Sequence, residues 1–138
     1  MKTYVFDTSA LLTLRDNESG AEQVADLLYQ AEQKKIRAVI CFMSLMEVLY
    51  RVWKDEGAQE ARLAYEQVQS LPLTIIHESS SLLEKAAAIK AGERLSLADA
   101  WIAATAVLEN AILVYKDPEF DQLQCRQMIL PYKAKKAT

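Results

Sequence analysis

Four acidic side chains that lie far apart in the sequence could together bind a metal ion. They are Asp7 in YVFDTS, Glu47 in SLMEVLYR, Asp99 in SLADAWIAATA and Asp117 in YKDPEF. Three of them follow short apolar runs and the fourth opens a helical pattern, and in an open α/β sheet such positions collect along one edge, where ligands bind. Clustered carboxylate oxygens suit hard divalent cations such as Mg²⁺ or Mn²⁺, which can activate water to hydrolyse a phosphodiester. The sequence therefore favours a metal-dependent nuclease.

Each of these acids also has a simpler structural explanation. Asp7 would cap a helix that begins near Ala10. Glu47 and Asp99 each stand three residues after a serine, which is the spacing of a capping box. Asp117 precedes a proline and could be an ordinary turn residue. Because the helix macrodipole favours an ionised carboxylate at a helix N-terminus, capping and metal binding are compatible.

Polar residues beside the acids could assist the chemistry. Thr8 and Ser9 supply two hydroxyls at the strand-to-helix turn after Asp7, and Lys116 supplies a cation next to Asp117. The net charge of the chain is -3, so the molecule as a whole does not attract a phosphate backbone. Local cations would have to guide a nucleic acid, and those near the motifs are Arg15, Arg51, Lys54, Lys116 and Arg126.

Length and composition predict one compact domain. The 138 residues are 51% hydrophobic and 25% charged, with only three glycines and three prolines, which excludes a disordered or collagen-like chain. We assign residues 1–132 to this domain and residues 133–138 to a short basic tail. The first residues lack the apolar run of a secretory signal, no segment could span a membrane, and the two cysteines form neither a metal spacing nor a disulfide framework. We expect a cytoplasmic protein with no membrane association.

Short apolar runs alternate with longer segments of helical periodicity, which predicts a parallel sheet covered on both faces. Gly57 would separate two helices, the first long helix would run to about Lys35, and the last would extend from Leu97 to Glu109. The predicted fold is a three-layer α/β/α arrangement around a mostly parallel five-stranded sheet. Its strands are TYVF (3 to 6), RAVIC (37 to 41), LTIIH (73 to 77), AILVY (111 to 115) and RQMIL (126 to 130).

The motifs together resemble a known family. The order DTSALL, MEVLYR and LADAWIAATAVLENAILVYKDPEF is similar to that of the PIN-domain nucleases, especially the VapC-type toxins of toxin–antitoxin pairs. The resemblance covers nearly the whole chain. Its most specific part is the last, where D-A-x-I-A-A-T-A is followed by a strand and then by D-x-x-F.

This resemblance implies a function and a set of site residues. It implies a ribonuclease that uses Mg²⁺ or Mn²⁺ and activated water to cleave single-stranded or structured RNA. It also implies an antitoxin protein as partner and a homodimer. The metal-binding and catalytic acids would be Asp7, Glu47, Asp99 and Asp117, with Ser9, Thr8, Lys116 and Arg51 as supporting or substrate-contacting residues.

One position departs from the family pattern. The residue two before the fourth acid is usually a small hydroxyl residue, whereas this chain has Tyr115. Asp121, a little further on, could be an additional ligand or a solvated charge. The aromatic set Tyr50, Trp53 and Tyr65 is interpreted as helix packing, or else as part of a groove for a partner protein.

Other functions remain open at the level of sequence. A receiver-type phosphotransfer domain would have an adjacent acidic pair after the first strand, but Phe6 precedes a single Asp7. A haloacid-dehalogenase-like phosphatase would have D-x-D where this chain has D-T-S. A PIN-like module that only binds RNA or protein with weak catalysis, and a housekeeping nuclease without an antitoxin, are both compatible with the motifs.

Overall fold

The computed structural model describes residues 1–116, 120–121 and 127–131 of the chain. Five parallel strands form one sheet in the order β3-β2-β1-β4-β5. In the centre of the sheet, Val5 is paired with Val39 on one side and with Leu113 on the other. The strands are β1 Thr3–Phe6, β2 Arg37–Cys41, β3 Thr74–Ile76, β4 Ile112–Tyr115 and β5 Gln127–Ile129.

Six helices connect these strands within the described residues. They are α1 Thr8–Arg15, α2 Ala21–Glu32, α3 Phe42–Glu56, α4 Ala58–Gln69, α5 Ser80–Gly92 and α6 Leu97–Leu108. The predicted elements are all present, and the differences lie at their ends. The helix expected to reach Lys35 ends at Glu32, because Lys34 adopts a left-handed conformation and its N–H bonds back to the carbonyl of Ala31.

The sheet is covered on both faces, as predicted. Side chains alternate across a strand, so Phe6, Ile40 and Val114 join one apolar cluster with residues of α1, α2, α3 and α4. Val5, Val39 and Leu113 point to the other face and join a second cluster with residues of α6. Because strands buried on both faces must be apolar throughout, this arrangement explains the continuous Val- and Ile-rich runs. The three-layer α/β/α fold is confirmed.

The order of the strands reverses between β1 and β4. From β1 the chain moves outward through β2 to β3, and then crosses to the other side of β1 to form β4. Parallel crossovers are right-handed, so this reversal sends the preceding helices to one face and α5 and α6 to the other. In such sheets ligands bind where the order reverses. Asp7 and Lys116 directly follow the two strands that flank this point.

Small residues allow α6 to pack closely on the sheet. Ala100, Ala103 and Ala104 are buried, as predicted, but Val107 is 41% exposed and the buried contact is made by Ala106 instead. Ala106 lies one turn beyond Ile102, which is fully buried, and so continues the face of that residue. In the described ranges no helix has both the length and the apolar character needed to cross a bilayer.

Gly57 forms the junction between α3 and α4, as the sequence predicted. Its φ of 100° and ψ of 168° fall in a region that only glycine adopts readily. An added Cβ would meet no atom within 4 Å, so backbone strain is the only cost of a side chain there.

We therefore expect Gly57→Ala to lower the free energy of unfolding by about 1–3 kcal/mol, measured by urea denaturation. Gly92→Ala is the matched control, because Gly92 lies at the end of α5 without a positive φ and an added Cβ also meets nothing there. That variant should be neutral or gain up to about 1 kcal/mol. Equal effects of the two substitutions would contradict the assigned backbone strain.

Candidate functional site

Asp7 is a buried carboxylate at the carboxyl end of β1. It is 2% exposed and is the N-cap of α1, where its Oδ1 accepts the N–H of Ala10 at 2.8 Å. The predicted capping role is therefore confirmed, although the helix begins at Thr8 rather than near Ala10. The Ser9 hydroxyl lies 2.8 Å from both carboxylate oxygens. These contacts fix the orientation of the carboxylate at the edge of the sheet.

Glu47 reaches the same region by a route that the capping-box interpretation did not predict. That interpretation is wrong for this residue, because α3 begins at Phe42 and Glu47 therefore lies in the second turn. The Phe42 ring packs edge-on against Trp101 of α6, with centroids 5.1 Å apart, and this contact anchors the first turn directly after β2. Thr8 donates a hydrogen bond of 2.6 Å to Glu47 Oε1. Glu47 is 8% exposed and makes no ion pair with any described residue.

Ser44 is a supporting residue whose contact the sequence did not reveal. It is fully buried, and its hydroxyl oxygen lies 3.2 Å from that of Thr8. Because Thr8 has one hydroxyl proton, which it donates to Glu47, Ser44 can donate its own proton to Thr8. The two residues are 36 positions apart, so no local spacing could have predicted the contact.

Asp99 stands in the first turn of α6, where the capping interpretation is confirmed. Ser96 is the N-cap and its hydroxyl accepts the N–H of Asp99 at 3.1 Å. The Asp99 residue is 8% exposed. Its helix packs against both β1 and α3, the elements that end in Asp7 and carry Glu47. At this position the helix dipole favours the ionised form of the carboxylate.

Ser9 connects the first acid to the end of β4. Its hydroxyl oxygen accepts the backbone N–H of Lys116 at 3.0 Å, so one side chain bridges the two strands at the point where the sheet order reverses. The Lys116 side chain is largely buried, and its Nζ lies 3.6 Å from the carboxylate of Glu18. Asp117, the fourth predicted ligand, lies outside the described residues.

The side chains at this edge of the sheet offer the oxygen ligands that a hard divalent cation prefers. Asp7, Glu47 and Asp99 offer only carboxylate oxygens, with hydroxyls of Thr8 and Ser9 beside them, and such hard donors suit Mg²⁺ or Mn²⁺. Among the residues that the structure describes, no three acidic, histidine or cysteine side chains form a metal site by themselves. The chemistry of the donors therefore fits the cation.

Residues 4–124 match the sequence model of the PIN domain. The chain belongs to the PIN domain family. No curated protein sequence matches it.

Solved structures of toxin–antitoxin proteins share the fold of this PIN domain. VapBC2 from Rickettsia felis, bound to a DNA fragment from the promoter, has a TM-score of 0.75 and 20% identity over 94% of this chain and 99% of that one. A toxin–antitoxin complex from Klebsiella pneumoniae has a TM-score of 0.62 and 26% identity, covering 87% and 92%. The sarcin-ricin loop cleaving toxin VapC20 of Mycobacterium tuberculosis has a TM-score of 0.72 and 17% identity, covering 93% and 99%.

Tyr115, the position at which the sequence departs from the family pattern, lies inside this PIN domain. It is fully buried and packs edge-on against Phe120, with centroids 5.6 Å apart. Its hydroxyl lies 2.5 Å from Asp121 Oδ1 and 3.2 Å from Gln127 Oε1, and Gln127 Nε2 donates to the carbonyl of Phe120 at 2.6 Å. The phenol thus joins β4 to Phe120–Asp121 and to β5. Asp121 is exposed and accepts this hydrogen bond.

Arg51 of the PIN domain lies apart from the acids. It is one turn beyond Glu47 on α3 and lines a surface cleft together with Arg15, Tyr50 and Lys54. A direct role at the acids has no contact to support it within the described residues, and its role toward substrate remains a prediction. Arg126 and the basic tail at 133–138 lie outside those residues.

The hydrogen bond from Thr8 can be tested by a matched pair of substitutions within α1. Thr8→Val would leave the buried Glu47 carboxylate without its hydroxyl donor, and we expect a loss of about 1–3 kcal/mol in the free energy of unfolding at pH 7. Thr13→Val should be neutral or stabilising, because Thr13 is equally buried and its hydroxyl has no hydrogen-bond partner among the described residues. Chemical denaturation of both variants measures the difference.

A Thr8→Val variant as stable as Thr13→Val would show that the Thr8 hydroxyl does not satisfy Glu47. Crystallography of the two variants would add a direct check, since only Thr8→Val should change the Glu47 side-chain conformation.

Proposed function

We propose that this PIN domain is a metal-dependent endoribonuclease and the toxin of a toxin–antitoxin pair. The observation that carries the proposal is a pair of adjacent hydrogen-bonded networks. One joins Asp7, Ser9 and the backbone of Lys116 across β1 and β4, and the other joins Thr8, Ser44 and Glu47 beside it. Isolated buried carboxylates are costly, because burial disfavours the charged form. Retaining two of them at the reversal point of the sheet is explained if they bind a cation.

Different residues would bind the cation and orient its ligands. Asp7, Glu47, Asp99 and Asp117 would hold Mg²⁺ or Mn²⁺, while Ser9 and Thr8 orient the first two of these carboxylates. When bound, the cation would activate water and stabilise the charge that develops on the phosphate. The N-terminal ends of α1 and α6 would keep Asp7 and Asp99 ionised and ready to bind. Because the carboxylates are buried, their interaction with a cation is stronger than it would be in water.

The proposed substrate class is supported by one of the similar structures. One of the similar solved structures is a toxin described as cleaving the sarcin-ricin loop, and the Klebsiella pneumoniae complex is 26% identical. RNA is therefore the substrate that we propose. A PIN-like module that only binds RNA or protein is the alternative, and the buried carboxylates favour catalysis over it, since binding alone does not require them.

An apolar groove between α1, α3 and α4 is the proposed site for the antitoxin. The groove has a volume of about 200 Å³ and is lined mainly by aliphatic side chains. An amphipathic helix could place its apolar face there. Its lining includes Leu12, Leu14, Val48, Ala64, Val68 and Leu71. A homodimer is likewise proposed from the family resemblance.

Neutralising single acids tests the catalytic proposal. Asp7→Asn and Asp99→Asn should each reduce cleavage of single-stranded RNA about 100-fold or more in Mg²⁺ or Mn²⁺, because several kcal/mol of charge stabilisation would be lost. Asparagine also caps helices, so Asp7→Asn should stay folded. Asp26→Asn is the control, since Asp26 is an exposed carboxylate on α2.

A chelator should abolish cleavage by the wild-type protein, and added Mn²⁺ or Mg²⁺ should restore it. Wild-type rates in both Asp7→Asn and Asp99→Asn, or cleavage that persists in the chelator, would remove the basis of the metal-dependent assignment.

The proposed antitoxin groove can be tested by the growth of cells that express the chain. Expression of the chain should arrest growth, and the product of an adjacent small gene should relieve the arrest. Leu14→Lys places a charge in the apolar groove, so arrest should persist but relief should be lost. Leu63→Lys is the control, because Leu63 is about half exposed on α4 and does not line the groove.

Relief that is equally strong for Leu14→Lys and Leu63→Lys would exclude this groove as the antitoxin site. An absence of growth arrest with the wild-type chain would instead favour a housekeeping nuclease.

A further inference from the structure

Helix α1 contacts helix α3 through polar side chains at both of its ends. At its first residue, Thr8 donates a hydrogen bond of 2.6 Å to the Glu47 carboxylate. At its last residue, the Arg15 guanidinium binds the carboxylate of Glu56, which is the last residue of α3. The same eight-residue helix therefore holds α3 both at the candidate metal site and at its C-terminal end.

The contact between Arg15 and Glu56 has the geometry of a strong ion pair. Nη1 lies 2.9 Å from Oε2 and Nη2 lies 3.0 Å from Oε1, so two parallel hydrogen bonds fix the relative orientation of the two side chains. The hydrogen bond lowers the pKa of the Glu56 carboxyl and raises the pKa of the guanidinium. A bidentate pair of this kind holds its partners more firmly than an ordinary surface ion pair does.

Two further carboxylates lie close to the Arg15 guanidinium. Asp16, the C-cap of α1, lies 2.9 Å from it, and Glu60, in the first turn of α4, lies 3.9 Å from it. Arg15 therefore reaches both of the helices that meet at Gly57. Because one guanidinium is shared between these helices, it holds the junction of α3 and α4 against the end of α1.

The two contacts hold opposite sides of α3. Glu47 and Glu56 are nine residues apart, which is two and a half turns of an α-helix, so their Cα atoms lie on opposite sides of the helix axis. The sheet keeps α1 in place, because Asp7 caps this helix and Ser9 accepts the N–H of Lys116. Rotation of α3 about its axis would move the two carboxylates in opposite directions relative to α1, and both contacts would resist it.

Even a small rotation of α3 would displace the Glu47 carboxylate. Apolar contacts such as those of Val48 and Val52 are not directional, so they fix the buried face of α3 more loosely than hydrogen bonds fix a carboxylate. With its side chains the helix has a radius of about 5–6 Å, so a rotation of roughly 10° moves a carboxylate by about 1 Å. A misplacement of that size can reduce a reaction rate about 100-fold.

We propose that Arg15 is a positioning residue, which keeps the Glu47 carboxylate at the candidate metal site by fixing the rotation of α3. The ion pairs of Arg15 in the described part of the chain are with Asp16, Glu56 and Glu60, so it acts on Glu47 through the helix and not by contact. The proposal rests on the proposed nuclease function, because the contribution of Glu47 to cleavage is part of that function.

A double-mutant cycle tests the proposal without a cleavage assay. Thr8→Val removes the hydrogen bond to Glu47, and Glu56→Ala removes the ion pair from the side of α3 while α1 keeps its sequence. If the ion pair holds Glu47 against Thr8, the loss of unfolding free energy caused by Thr8→Val should be smaller in the Glu56→Ala background than in the wild type. Sites without a shared contact are normally additive, so additive losses would overturn the proposal.

Arg37→Gln is the matched control for this cycle. The ion pair of Arg37 with Glu109, at 2.7 Å, also joins two separate elements, since Arg37 begins β2 and Glu109 is the C-cap of α6. It lies at the amino ends of the strands, away from the acids. Arg37→Gln should therefore combine additively with Thr8→Val, and coupling as large as that of Glu56→Ala would contradict a specific role for the Arg15 ion pair.

Cleavage kinetics test the same residue through the proposed reaction. In Mg²⁺, Arg15→Gln should lower kcat about 10-fold with little change in KM, because a displaced Glu47 affects the chemical step and not the binding of RNA. Arg15→Lys keeps the charge but cannot make the two parallel hydrogen bonds, so it should lower kcat less. Arg37→Gln should leave kcat unchanged. A raised KM with an unchanged kcat in Arg15→Gln, or equal kcat values for Arg15→Gln and Arg37→Gln, would overturn the proposal.

The two tests separate this proposal from the nuclease assignment. Coupling in the double-mutant cycle, together with no metal-dependent cleavage by the wild type, would support positioning by Arg15 and overturn the nuclease assignment. Additive losses, together with metal-dependent cleavage that Arg15→Gln leaves unchanged, would overturn the positioning role and leave the nuclease assignment standing. Thermal unfolding shows which variants are folded at the assay temperature, and if Arg15→Gln is not, Arg15→Lys serves for the kinetic test.

Discussion

The arrangement of the site depends on how this chain compensates carboxylates that it buries at the edge of a sheet. Asp7 is held by a backbone N–H and by Ser9, and Glu47 is held by Thr8. Thr8 and Ser9, which supply these hydroxyls, are the two residues after Asp7, so a single strand-to-helix turn orients two acids from different elements. This turn also accepts the N–H of Lys116 through Ser9. Asp7, Thr8 and Ser9 therefore connect the end of β1, helix α3 and the end of β4.

The sheet order explains why these segments meet. β1 is central and pairs with β2 on one side and β4 on the other, so its carboxyl end adjoins the start of α3 and the residue after β4 at once. The alanines of α6 bring that helix close to the same strands, and Asp99 lies in its first turn. Small residues thus act on the site indirectly, because close packing determines where a distant carboxylate lies.

The sequence predicted the fold well because continuous apolar runs and alanine-rich periodicity are strong local signals of buried parallel strands and covering helices. It also predicted the capping of α1 by Asp7 and the position of Asp99 in the first turn of α6 behind the cap Ser96, which depend on neighbours three residues away. The sequence did not predict hydrogen bonds between side chains that are not local neighbours in the chain. Neither the contact of Thr8 with Glu47 nor the hydrogen bond of Tyr115 to Asp121 follows from local spacing. The interpretation of Tyr50 and Trp53 as helix-packing residues is wrong for a related reason. Both are about half exposed on α3, and periodicity identifies an apolar face but not whether anything covers it.

The position of Glu47 depends on the rotational phase of helix α3. The contact of Phe42 with Trp101 fixes where the helix begins, and that start directs Val48 and Val52 to the core, Glu47 to Thr8 and Tyr50 to solvent. A shift of one residue would rotate every later side chain by about 100°, because the helix has 3.6 residues per turn. Glu47 would then leave Thr8, and Val48 and Val52 would leave the core. The core contacts of α3 therefore position the Glu47 carboxylate, so neither could change without the other.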